Sequence, residues 1–94
     1  MDKLIKIVNL MPNAQSVDVR FWYNGKRYGY YSGDVFGLVV KWAAEAEESD
    51  EMARRTDETE EAEVTEIKAV HSTIIISCNA PEWFREEQKR REET

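Results

Sequence analysis

The stretch that decides the fold is residues 17–31, which carry the sequence VDVRFWYNGKRYGYY. Apolar and polar side chains alternate on both sides of Asn24-Gly25, a pattern typical of a β-hairpin. Asn-Gly accepts the positive φ angles of a two-residue type I′ turn, and a turn of this length fixes the strand register. The predicted pairs are Tyr23 with Lys26, Trp22 with Arg27, Phe21 with Tyr28 and Val19 with Tyr30.

This register gives the hairpin a core face and an outer face. The core face is predicted to carry Val19, Phe21, Tyr28 and Tyr30. The outer face is predicted to mix bases and aromatic rings, namely Arg20, Trp22, Arg27 and Tyr31, with Lys26 at the turn. Such a mixture can stack nucleobases and contact phosphates. The alternatives are a cross-strand cation–π pair between Trp22 and Arg27, or a face covered by a helix or a second subunit.

The elements before and after the hairpin are expected as follows. Residues 3–10 are rich in aliphatic and β-branched side chains, which predicts a strand. Asp34 suits the N-cap of a helix from residue 34 to about residue 54. A stripe at helical spacing is predicted to face the core: Val35, Leu38, Val39, Trp42 and Ala46.

The second half of the chain alternates between charged and apolar stretches. Residues 56–63 have no apolar periodicity and are predicted to form a mobile acidic loop. Residues 64–78 are predicted to form either one long strand or two strands that turn near His71-Ser72. Pro81 favours the first turn of a short helix to about residue 91, with a frayed end over residues 90–94.

Together these elements predict one α+β domain over residues 1–94. We expect a small antiparallel sheet of three to five strands, with one main helix packed on one face and a short C-terminal helix. A chain of 94 residues buries a modest core, so a homodimer through the outer hairpin face is a secondary expectation.

The charge is unevenly distributed. Residues 45–66 hold eleven acids against Arg54 and Arg55, a net charge of −9, whereas the rest of the chain carries +3, giving −6 overall. The acids predicted to bind a partner are Glu45, Glu47, Glu48, Asp50, Glu51, Asp57, Glu58, Glu60, Glu61 and Glu63. Carboxylates along a helix approach the charge density of duplex DNA, about one charge per 1.7 Å, and would attract a cationic groove. The alternative is a hydrated face that only keeps the protein in solution.

Residue types that carry chemistry are sparse. Cys78 is the only cysteine and His71 the only histidine, which is too few for a zinc site, and the acids lack a calcium-loop pattern. We expect no metal and no cofactor. A small thiol enzyme with Cys78 as nucleophile and His71 as base is a third hypothesis, and it requires a turn near Ser72 to bring the two side chains together.

In its size, its acidity and its lack of a catalytic pattern, the chain resembles small inhibitors encoded by phages and mobile elements, including anti-CRISPR proteins and DNA mimics. The resemblance is one of type and includes no shared motif. It implies a non-enzymatic inhibitor or adaptor that presents an acidic surface to a basic site on a nucleic-acid-handling protein. A small nucleic-acid-binding module that uses the hairpin is the alternative.

The expected compartment is the cytoplasm. A lone cysteine favours a reducing environment, and the longest apolar runs, such as Ile74-Ile75-Ile76, fall far short of a bilayer span of about 20 residues. We therefore expect no association with a membrane. The expected partner remains a protein with a basic surface.

Overall fold

The computed structural model describes residues 2–93 and contains one four-stranded sheet and four helices. In chain order the elements are α1 (Leu4–Asn9), β1 (Ser16–Tyr23), β2 (Lys26–Asp34), α2 (Val35–Glu48), α3 (Asp50–Glu60), β3 (Val64–Val70), β4 (Thr73–Asn79) and α4 (Glu82–Glu92). The strand order across the sheet is β2-β1-β4-β3. The predicted α+β class is confirmed.

The β1–β2 hairpin turns where the sequence predicted it. Asn24 and Gly25 have φ angles of 53° and 79°, the left-handed values that a type I′ turn requires. The first three predicted pairs are present: Tyr23 with Lys26, Trp22 with Arg27 and Phe21 with Tyr28. The local turn therefore sets the register up to the middle of the hairpin.

Beyond that point a bulge shifts the register between Val19 and Arg20, so that Val19 pairs with Tyr31 and not with Tyr30. An extra residue in one strand turns the side chains that follow it to the other face. The Tyr31 hydroxyl donates to the carbonyl of Asp34 at the start of α2, over 2.7 Å. The prediction that Tyr31 lies on the outer face is therefore wrong.

The centre of the sheet is a parallel pair, so the sheet is mixed and not antiparallel throughout. β1 pairs in parallel with β4. Each of these two strands also pairs antiparallel with its hairpin partner, β1 with β2 and β4 with β3. The segment 64–78 forms two strands that turn at His71 and Ser72, and His71 has a φ of 55°. Because α2 and α3 lie between the two hairpins, the chain can bring β4 alongside β1 in the parallel direction.

The helical layer differs most from the sequence-based expectations. α2 begins as predicted, with the Asp34 carboxylate accepting from the Gly37 amide over 2.7 Å. It ends at Glu48, and Ser49 adopts an extended backbone and caps α3 by accepting from Met52 N over 3.1 Å. The predicted helix to residue 54 is therefore two helices.

Most of the predicted mobile acidic loop, residues 56–63, is helical because α3 continues to Glu60. Thr56 and Thr59 are buried, and their hydroxyls donate to the carbonyls of Met52 and Arg55 four residues earlier. These internal hydrogen bonds satisfy the threonine hydroxyls, so α3 buries threonines where an amphipathic helix usually buries apolar side chains. The loop was predicted because the segment lacks apolar periodicity, yet the segment is helical without it.

The N-terminal segment, predicted as a strand over residues 3–10, forms α1. Leu4 and Val8, four residues apart, are both buried in the core, which is the spacing of one helix face. Beside the start of β3, Lys3 forms an isolated antiparallel bridge with Glu63, and the Val64 amide donates to the Asp2 carbonyl over 3.0 Å. Burial of one helical face outweighs the β propensity of this aliphatic stretch.

The core lies between the helices and one face of the sheet. Val19, Phe21 and Ile76 from the two central strands are fully buried, and α2 contributes Leu38 and Trp42. α4 begins after Pro81, as predicted, and its aromatic side chains pack against the same face of the sheet. α4 continues to Glu92, while Thr94, at the end of the predicted frayed segment, lies outside the described residues.

Candidate functional site

The acidic stretch forms a helical hairpin on the side of the core away from the sheet. α3 folds back against α2 after Ser49. As a result, Val39 of α2 and Glu60 of α3 line the same groove. Eight of the ten predicted partner-binding acids therefore lie on two packed helices and not on a loop; Glu61 and Glu63 follow α3.

Ion pairs between residues 2–93 engage four of the ten predicted partner-binding acids. Glu51 contacts Arg54 at 2.8 Å and Arg55 at 3.2 Å, and these hydrogen bonds to arginine hold the pKa of Glu51 below its usual range. The other three pairs are Glu45 with Lys41, Glu58 with Arg54, and Glu61 with Lys3. These acids stabilise the helical layer, which leaves them less available to a partner.

A second group of acids is exposed to solvent or lines the groove. No ion pair within residues 2–93 is recorded for Glu47, Glu48, Asp50, Asp57 or Glu60, and we call these five residues the acidic rim. Burial and the nearby charges of Asp57 and Glu61 raise the pKa of Glu60. Glu63, the tenth predicted acid, lies outside α3, and its carbonyl accepts from Asn79 N over 2.8 Å.

A groove separates α1 from the helical hairpin and has a volume of about 260 Å³. Ile5 and Asn9 of α1 form one wall, and the remaining lining comes from α2 and α3. The α2 and α3 residues are Val39, Trp42, Ala43, Ala46, Thr56, Asp57 and Glu60. Apolar side chains therefore lie directly beside two members of the acidic rim.

The outward side of α2 is also apolar, which the sequence analysis did not identify. Phe36 and Val40 are 57% and 48% exposed, and Val39, predicted to face the core, is 42% exposed. The predictions for Val39 and for Ala46, which is also exposed, are wrong because Val35, Leu38 and Trp42 already fill the buried face of α2. The signal was present in the sequence as a second apolar set, at positions 36, 40 and 43, on the opposite side of the helix.

The outer hairpin face is built differently from the expectation. Arg20 pairs with Asp18 over 2.9 Å, and Arg27 reaches Glu66 over 3.4 Å. Arg27 also lies over the ring of Trp22, 5.4 Å from its centroid, which is the cross-strand cation–π pair considered as an alternative. Lys26 is exposed at the turn, and Tyr31 lies on the other side of the sheet. Of the five hairpin residues, Arg27 and Trp22 are thus brought together, Tyr31 is separated from them, and two of the three cations are engaged by carboxylates.

Cys78 and His71 are far apart. Cys78 is fully buried at one end of β4, and burial raises the pKa of its thiol to about 12. His71 lies in the turn before the other end of this strand, and the five-residue rise from Thr73 to Cys78 alone spans about 16 Å. The turn near Ser72 does not bring the two side chains together, so His71 is not placed to act as the base.

Residues 2–93 contain neither a metal site nor a membrane-spanning helix. Among residues 2–93, His, Cys, Asp and Glu form no group of three or more that could hold a metal ion. Over the same range, none of the helices is both long enough and apolar enough to cross a bilayer.

The chain matches no protein-family model, and it shows no significant similarity to a curated protein or a solved structure. Function therefore has to be argued from the surfaces described above.

Proposed function

We propose that this chain is a non-enzymatic protein-binding inhibitor or adaptor whose acidic rim docks on a basic site of a nucleic-acid-handling protein. The observation that carries the proposal is the division of the acids into two groups. Glu45, Glu51, Glu58 and Glu61 are neutralised internally, whereas the acidic rim presents five carboxylates from the packed α2–α3 hairpin.

The position of two rim members supports a role in recognition and not in helix stability, whereas Asp50, in the first turn of α3, also favours its helix. Glu47 and Glu48 lie in the last turn of α2, which contains no basic residue. Negative charge at a helix C-terminus opposes the helix dipole. These two carboxylates therefore add nothing to the stability of α2, although they add to the attraction of a cationic surface.

The class of partner follows from electrostatics. Proteins that handle nucleic acids carry cationic grooves shaped to bind closely spaced phosphates. Carboxylates fixed on a packed helical hairpin can occupy such a groove without first being ordered, which favours affinity. Binding of this kind is fast at low salt and weakens as salt rises.

The test is an affinity pull-down with the full chain as bait, from a lysate of the cells in which the protein is naturally made. The variant reverses three rim charges: Glu47→Lys, Glu48→Lys and Asp57→Lys. A matched control makes the same change in net charge on the C-terminal segment: Glu86→Lys, Glu92→Lys and Glu93→Lys. All these positions are exposed, so both variants are expected to fold.

We expect the wild type and the C-terminal control to retain a nucleic-acid-binding protein that duplex DNA releases, and the rim variant to lose it. Retention is expected to fall when salt is raised from about 50 to 300 mM. Equal capture by the wild type and the rim variant would overturn the proposal, as would a captured protein that DNA does not displace.

A further inference from the structure

α2 carries apolar side chains on two opposite sides. Val35, Leu38 and Trp42 pack into the core, whereas Phe36 and Val40 project outward with about half of their surface exposed. Val39 and Ala43 join this outward side to the groove beside α1. We call Phe36, Val39, Val40 and Ala43 the α2 stripe. A helix that is apolar on both sides is usually covered on both sides. Of the two sides of α2, the one that carries Val35, Leu38 and Trp42 is covered by the core, and the α2 stripe is exposed.

The stripe and the acidic rim adjoin each other. Glu47 lies one helical turn beyond Ala43 on the outward side of α2, and Asp57 and Glu60 line the groove beside Val39. A partner that covers the apolar surface therefore also meets carboxylates along its edge.

This charge pattern argues against a second copy of the chain as the occupant. Two stripes packed together would bring two acidic rims into contact, and each chain carries a net charge of −6. Like charges placed at a desolvated interface repel each other and oppose association. The chemistry that matches the surface is apolar along its middle and cationic along its edges.

Building on the proposed function, we infer that the partner contributes an amphipathic cationic helix that lies along the α2 stripe with its lysines or arginines on the acidic rim. Burial and the neighbouring carboxylates raise the pKa of Glu60 in the unbound chain. A lysine or arginine of the partner placed in the groove would stabilise the charged form of Glu60.

A helix fits this surface better than an extended strand. The stripe spans residues 36–43, a length of about 10 Å along α2, and it presents side chains at helical spacing to a partner. The shallow channel between α1 and α2 provides a groove into which a helical ridge can pack.

The probe is a synthetic peptide of about 18 residues made only of leucine and lysine, long enough to form a helix on binding. In one isomer the leucines follow the spacing i, i+3, i+4, i+7; in the other the same residues are scattered. Both isomers have the same charge and composition, so the comparison isolates the contribution of the apolar face. Affinity is measured by fluorescence anisotropy with the full chain, and the contact surface by backbone amide chemical shifts.

We expect the amphipathic isomer to bind at least about tenfold more tightly than the scattered one, with shifts concentrated in α2 and α3. Val40→Ser is expected to weaken the amphipathic isomer by about tenfold and to leave the scattered isomer unchanged. The matched control is Val70→Ser on β3, since Val70 is 45% exposed and Val40 is 48% exposed. Thermal unfolding checks that both variants remain folded.

Equal affinity for the two isomers would overturn the inference, and so would a Val40→Ser variant that binds like the wild type. A dimer of the chain that Val40→Ser dissociates, seen by sedimentation, would assign the stripe to a second copy and overturn it as well. Each of these outcomes leaves the proposed function intact, because that proposal is tested by reversal of the rim charges on the captured partner.

Discussion

Thr59 and Trp83 are joined by a hydrogen bond of 2.8 Å from the indole Nε1 to the threonine Oγ1, although 24 residues separate them. The amide of Trp83 also donates to the Glu58 carboxylate over 2.9 Å. Together these two bonds fasten the start of α4 to the last turn of α3. They hold in place the helix that carries three members of the acidic rim, Asp50, Asp57 and Glu60.

Replacing Trp83 with phenylalanine is expected to lower the free energy of unfolding by about 1–2 kcal/mol, because the buried Thr59 oxygen loses its donor. Urea unfolding followed by circular dichroism measures the change. Trp22→Phe is the matched control, since Trp22 is 42% exposed on the outer sheet face and is expected to change stability by less than about 0.5 kcal/mol. Equal losses in the two variants would mean that the Thr59–Trp83 bond contributes nothing.

Gly37→Ala is expected to destabilise the protein, although alanine stabilises most helices by about 1 kcal/mol relative to glycine. An added Cβ at Gly37 would overlap the hydroxyl of Tyr31, which is held by its bond to the Asp34 carbonyl. Tyr31→Phe removes the clashing oxygen, so the double variant should recover stability relative to Gly37→Ala alone. Thermal unfolding of both single variants and the double variant gives the coupling, and purely additive effects would contradict the packing described.

Stability is expected to fall in alkaline solution from about pH 10, partly because of Tyr30. Burial raises the pKa of its phenol to about 12, whereas the unfolded chain titrates near 10. Below pH 10 both states keep the proton and stability is unaffected; between pH 10 and 12 only the unfolded state loses it. The contribution of Tyr30 is at most about 1.4 kcal/mol per pH unit over that window.

The measurement compares urea unfolding of the wild type and Tyr30→Phe at several pH values between 8 and 12. The buried Cys78 thiol, whose pKa is also raised to about 12, is present in both proteins and cancels in the comparison. Tyr30→Phe is expected to be less stable at pH 8, because Trp42 Nε1 loses its acceptor, but to decline less steeply above pH 10. Parallel curves above pH 10 would show that Tyr30 titrates normally in the folded state.

Cys78 is expected to react slowly with the thiol reagent DTNB at pH 8 in the folded protein and rapidly in urea. The side chain is fully buried, and burial raises the pKa of its thiol far above that of a free cysteine. Absorbance of the released thiolate measures the rate. Fast labelling of the native protein near pH 7 would restore the thiol-enzyme hypothesis.

The outer hairpin face is expected to produce no gel shift with single-stranded RNA or DNA at low salt. Arg20 and Arg27 are paired with Asp18 and Glu66, and the overall charge of −6 repels phosphates. Glu66→Gln releases Arg27 and serves as the sensitised variant. A shift by the wild type that Arg27→Ala removes would favour the nucleic-acid-binding alternative.

The features that the sequence predicted correctly depend on a few adjacent residues. The turn at Asn24-Gly25 needs left-handed φ angles that these two residues adopt at low cost. The cap at Asp34 and the helix start after Pro81 depend on backbone groups within one turn. The alternation in the hairpin indicated its core face, and runs of strands flanking a helix indicated the α+β class.

Two signals were present in the sequence but were not used. Lys41–Glu45 and Arg54–Glu58 have the spacing i, i+4 that pairs opposite charges on a helix, so part of the internal neutralisation was predictable. The outward apolar set on α2 was obscured because the inward stripe already accounted for a packed helix.

The amino-acid sequence by itself determined the hairpin turn, the starts of α2 and α4 and the total charge, because each of these follows from the residues present or from their immediate neighbours. Only the tertiary structure decided that residues 56–60 are helical, that Tyr31 faces α2 and which carboxylates form ion pairs with distant residues. The reason is that these depend on contacts between distant parts of the chain, such as Trp83 with Thr59 and Lys3 with Glu61. The energy of such contacts depends on spatial proximity, which local periodicity does not encode.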